Sequence, residues 1–93
     1  MARYELALVL DPDLAEEEVP AALERLRHLV TDRGGTVESE EVLGRRRLAY
    51  PIRRRRDGTL VLTHLEMAPR TVREVEAGLR VDERVLRHLL VHL

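Results

Sequence analysis

TVESEEVLGRRRLAYPIRRRRDGTLVLTHLEM, residues 36–67, places two strand-like runs back to back with no helix between them. Residues 36–52 read as one long, highly charged strand that ends or bends at Pro51, because proline has no N–H to donate to a ladder. Asp57-Gly58 is a turn signal, and TLVLTHLEM (59–67) resumes as the next strand. The Arg53–Arg56 run is therefore expected in a hairpin loop.

Outward from that hairpin the chain is nearly symmetric. Upstream, RYELALVL (3–10) alternates Tyr4, Leu6, Leu8 and Leu10 against Ala7 and Val9, a strand apolar on both faces. Asp13 with Glu16 resembles a capping box, and Val19, Leu23, Leu26 and Val30 follow at helical spacing until Gly34 and Gly35. Pro20 either kinks this helix or falls in the first turn of a helix that begins near Val19. Downstream, Pro69 opens a second helix with the stripe Val72, Val75 and Leu79, and VLRHLLVHL (85–93) is a fourth strand. The order βαββαβ with right-handed crossovers predicts an α+β, ferredoxin-like sandwich: a four-stranded antiparallel sheet with two helices on one face, in a single domain over residues 1–93.

Composition narrows the function. The core must be built from Leu, Val and Ala, since 44% of residues are hydrophobic and there is no Phe or Trp. With no cysteine, disulfides, thiolate metal sites and thiol nucleophiles are excluded. No apolar run approaches the roughly 20 residues of a membrane span and no basic-then-apolar leader opens the chain, so a soluble cytoplasmic protein is expected. The formal net charge of −1 hides two unlike regions: residues 44–58 hold seven Arg against Asp57, or +6, and the remainder holds nine Arg against sixteen acids, or −7. All sixteen basic residues are Arg, a pattern that codon bias explains, so only clustered arginines carry meaning.

Four adjacent like charges repel unless a partner neutralises them, and guanidinium forks suit phosphates. Glu38, Glu40 and Glu41 precede Arg45–Arg47 and can pair with that triplet, and charge on a hairpin also keeps a sheet edge from pairing with copies of itself. GTLVLTHLEM has no aromatic residue to support base stacking on the central strands, so Tyr4 and Tyr50 are the only stacking candidates and phosphate contact is the expected mode. A sheet apolar on both faces favours a covering partner. Catalysis finds no support: His88 and His92 lie about 13 Å apart by strand rise, His64 has no Ser-His-Asp arrangement or phosphate loop beside it, and no metal or cofactor set is present. The rival reading is a homodimeric regulatory module of the same fold that binds a small molecule.

RYE at Arg3–Glu5, GRRRLAYPI at Gly44–Ile52 and LRVDERVLRHLLV at Leu79–Val91 together resemble the S-six family of bacterial small-subunit ribosomal proteins, over nearly the whole chain. The resemblance implies a non-enzymatic structural constituent of the ribosome in the cytoplasm, without cofactor, membrane or small-molecule substrate. It implies binding to the central domain of small-subunit ribosomal RNA as a heterodimer with the small basic ribosomal protein S-eighteen, in support of assembly and translation. By motif, Arg3, Tyr4, Arg45, Arg46, Arg47, Tyr50 and Arg87 are the RNA- or partner-binding positions, and Arg53, Arg54, Arg55 and Arg56 match a hairpin loop that is usually basic in the family. A polar C-terminal tail that helps hold the partner is frequent in the family, whereas this sequence ends at Leu93, and third-strand aromatics common there are Thr59, Leu60 and Leu62 here.

Overall fold

The computed structural model describes residues 1–93. The elements are β1 (Ala2–Leu10), α1 (Glu18–Thr31), β2 (Thr36–Ile52), β3 (Arg55–Met67), a 3₁₀ turn (Pro69–Thr71) leading into α2 (Val72–Arg80), and β4 (Val85–His92). All neighbouring strands are antiparallel in the order β2-β3-β1-β4, so the expected ferredoxin-like topology is present, with β2 and β4 at the edges. Tyr4, Leu6, Leu8 and Leu10 face the helices and pack with Val61, Leu65 and Met67 of β3 and with Leu26, Val30, Val75 and Leu79. The other parity of the sheet is open. Leu89 is 58% and Val91 43% exposed there, beside half-buried Ala7, Val9, Leu60 and Leu62.

The start of α1 departs from the capping-box expectation. Glu17 occupies the cap position without a side-chain bond, while Asp13 lies in the preceding turns, its N–H donating to Asp11 Oδ1 at 2.9 Å. Pro20 sits in the first turn, where a missing N–H breaks no helical bond, so the later start carries the proline at no cost.

The hairpin departs further. The turn is Arg53-Arg54, both with positive φ (49° and 68°), and β3 begins at Arg55. Asp57 and Gly58 are inside the ladder, opposite Arg47 and Arg46. Gly58 is needed for close approach instead of a turn: a Cβ there would lie 2.3 Å from Val9 Cγ1. The expected four-arginine loop is thus a two-residue turn plus two strand residues. Holding two arginines in the left-handed region costs about 1 kcal/mol or more each, a strain that the continued pairing offsets.

Between the pairs Arg47↔Asp57 and Ile52↔Arg55, β2 carries Leu48, Ala49, Tyr50 and Pro51 against Arg56 alone. This oversized bulge forms where Pro51 has no N–H to donate, and bulges bend a strand and increase its twist. Since β1 stops at the pair Leu10↔Thr59, residues 46–58 extend past the sheet as a coiled two-stranded ribbon.

Candidate nucleic-acid interface

The ribbon curls over the end of the sheet where β1 ends and β4 begins. Arg55 Nε donates to Asp11 Oδ1 at 3.2 Å and lies 3.4 Å from Asp13 Oδ2, tying the ribbon to the β1–α1 loop. Arg53 Nη1 donates to the Glu83 carbonyl at 3.2 Å, and Arg87 Nη1 donates to the Tyr50 hydroxyl at 2.6 Å, joining the two edge strands. The Asp13 N–H and then the Arg55 guanidinium hold the Asp11 carboxyl below its ordinary value, and Asp11 in turn raises Arg55. These contacts fix where the ribbon points.

What remains on it is uncompensated charge. Arg45 bonds Asp57 at 3.3 Å and Arg55 is taken by the aspartates. Arg46, Arg47, Arg53, Arg54 and Arg56 have no carboxylate partner, and Arg46 reaches only the Arg45 carbonyl at 3.0 Å. Elsewhere six of nine arginines hold an acid. Five guanidiniums without a carboxylate, with Arg87 beside them, form a concentrated cationic surface that fits a polyanion.

The structure divides the residues singled out by sequence into two groups. Arg45–Arg47, Tyr50, Arg53–Arg56 and Arg87 gather at the ribbon end. Arg3 and Tyr4 lie at the opposite end of β1, roughly 20 Å away by strand rise. Arg3 forms a two-pronged pair with Glu38, both bonds 3.1 Å, which raises its pKa first through the hydrogen bonds and then through the charge. Tyr4 is 5% exposed on the helix-facing side, stacked on the His92 ring at 4.9 Å, so its face is not offered to a base.

His64 also differs from expectation. Its Nδ1 meets Ser39 Oγ at 3.1 Å and its Nε2 meets Glu5 Oε2 at 3.3 Å, a Ser-His-Glu chain that the sequence hid because the three residues sit on three strands. The chain lies on the open sheet face and lines no cavity, so nothing positions a substrate carbonyl against Ser39. His88 faces α2, 3.5 Å from Glu76. No group of three His, Cys, Asp or Glu side chains is placed to hold a metal ion. Sequence reasoning missed Asp11, Asp13 and Glu83 as anchors of the ribbon; the one signal was the acidic turn directly after β1.

Fold and site define a small α+β protein with a cation-rich ribbon. That class is broad, because the same fold occurs in the C-terminal domain of the MgtC protein from Mycobacterium tuberculosis (TM-score 0.61, 18% identity, covering 100% of this chain and 88% of that one). The family is specific: the model for ribosomal protein S6 matches residues 3–92, and the chain belongs to that family. The small ribosomal subunit protein bS6 of Caldanaerobacter subterraneus is 40% identical over 91 residues, 98% of this chain and 96% of that one. Its counterpart from Acidothermus cellulolyticus is 43% identical, across 98% of this chain and 95% of that one. The crystal structure of 30S ribosomal protein S6 from Thermotoga maritima superimposes with a TM-score of 0.91 at 24% identity, covering 99% of this chain and 87% of that chain.

Proposed function

We propose that the protein is a structural, non-enzymatic constituent of the bacterial small ribosomal subunit, in the cytoplasm. Its ribbon meets the central domain of small-subunit ribosomal RNA while its open sheet face receives the small basic protein S-eighteen. The observation that carries the RNA half is the set of five ribbon arginines without a carboxylate, in a chain of net charge −1. The partner half is supported by the open face, where exposed Val91 is opposite Glu5 and exposed Leu89 opposite Ala7, with Glu66 on β3 toward the same end of the sheet. Apolar surface bordered by carboxylates suits a basic, partly apolar protein.

The test is binding of a central-domain RNA fragment across a salt series, with and without the partner. If five arginines reach phosphates, log K falls against log salt with a slope of about −3.5 to −4.5. Changing Arg46, Arg47, Arg53, Arg54 and Arg56 to Gln flattens it. Absence of binding in both conditions, with a stable homodimer in solution, sinks the proposal and favours the regulatory module.

A further inference from the structure

The bulge in β2 does more than bend the ribbon. Leu48, Ala49, Tyr50 and Pro51 loop away from Arg56, and with Arg47 and Arg56 they line a cleft of about 270 Å³. Arg47 and Arg56 are both without a hydrogen-bond or ion-pair partner. Tyr50 is 56% exposed, and its ring is held from its far tip by the bond to Arg87. The Arg87 guanidinium carbon lies 5.8 Å from the ring centroid while its nitrogen touches the hydroxyl, so the cation sits toward the hydroxyl end of a ring that remains largely exposed.

Apolar side chains, an exposed aromatic residue and two free cations at one small cleft match a flat aromatic group joined to a phosphate. The geometry points to a pocket for one unpaired nucleotide of an RNA strand, its base laid on Tyr50 and its phosphate held by Arg47 and Arg56. A duplex offers neither a splayed base nor a shape that enters such a cleft. Proline fixes one backbone angle and tyrosine has few rotamers, so the pocket is set before binding. Stacking on a tyrosine face does not discriminate strongly among bases, so recognition is of an unpaired base and not of its identity. This inference rests on the RNA-binding reading above and deepens it.

Anisotropy of a labelled single-stranded RNA hexamer and a labelled duplex of equal charge separates the two ideas. Tyr50→Leu, with its unfolding midpoint checked, is expected to weaken the hexamer about tenfold and leave the duplex unchanged. An abasic hexamer should lose the same factor with the unaltered protein and nothing further with Tyr50→Leu. Tyr50→Phe keeps the ring and should retain most of the hexamer affinity. Adenosine monophosphate should bind far more weakly than the hexamer; equal binding overturns the assignment to an RNA strand. If Tyr50→Leu changes both RNAs alike or neither, the pocket is refuted while RNA binding stands. If the unaltered protein binds neither RNA, the pocket is refuted, and the RNA-binding reading falls with it only if the central-domain fragment also fails to bind in the presence of the partner.

Discussion

Arginines in the body and arginines in the ribbon are the same residue used in opposite ways. In the body, Arg84 forks onto Asp82 with two 2.9 Å bonds, Arg33 reaches Glu74 at 2.7 Å, and Arg27 pairs with Glu40. In the ribbon only Arg45 and Arg55 hold acids. A guanidinium already satisfied by a carboxylate must lose that partner before it binds phosphate, whereas a free one needs only to shed water. The contrast teaches that count and clustering do not show which arginines are free to meet an anion; the neighbouring acids do.

The difference can be broken or sharpened by experiment. The largest effect belongs to the body: Leu26→Ala, at a fully buried position, should cost about 3 kcal/mol in urea unfolding, whereas the five-fold ribbon substitution to Gln should leave stability within about 1 kcal/mol. Comparable losses would mean that the ribbon belongs to the core.

Next comes Asp82. Burial pushes its pKa up, but the bonds from the Arg84 side chain and backbone outweigh that and hold it below the ordinary value. A depressed carboxyl stabilises the fold above its unfolded pKa and loses that contribution as pH falls through the folded one. Asp82→Asn should therefore cost about 2 kcal/mol at pH 7, and the gap from the unaltered protein should close in acid below about pH 4. A gap constant with pH would show that charge is not what Asp82 contributes.

A smaller effect, of opposite sign, is expected at the turn. Arg53→Asn with Arg54→Gly relieves two left-handed arginines and should stabilise by about 1 kcal/mol while weakening RNA binding. Stabilisation without loss of binding would remove those two arginines from the interface. The smallest belongs to Arg3→Gln, whose exposed pair with Glu38 is largely screened by solvent, so the unfolding midpoint and the RNA salt slope should both stay unchanged.

The registers that the sequence could not supply share one cause. Asp57-Gly58 has the composition of a turn, yet Gly58 is required because Val9 of a neighbouring strand occupies the space of its side chain. Tyr4 reads as a candidate stacking residue until its parity with Leu6 and Leu8 is seen to face the helices. The partner of Tyr50 is 37 residues away on the opposite edge of the sheet, and no local spacing announces Arg87.

Read alone, the sequence determined the order βαββαβ, the helix stripes, the apolar character of both sheet faces and the place of the positive charge, because periodicity and composition act over neighbouring residues. Tertiary structure decided which arginines are free, which tyrosine is exposed and where the hairpin turns. Those outcomes depend on side chains from other strands that compete for the same charge and the same space.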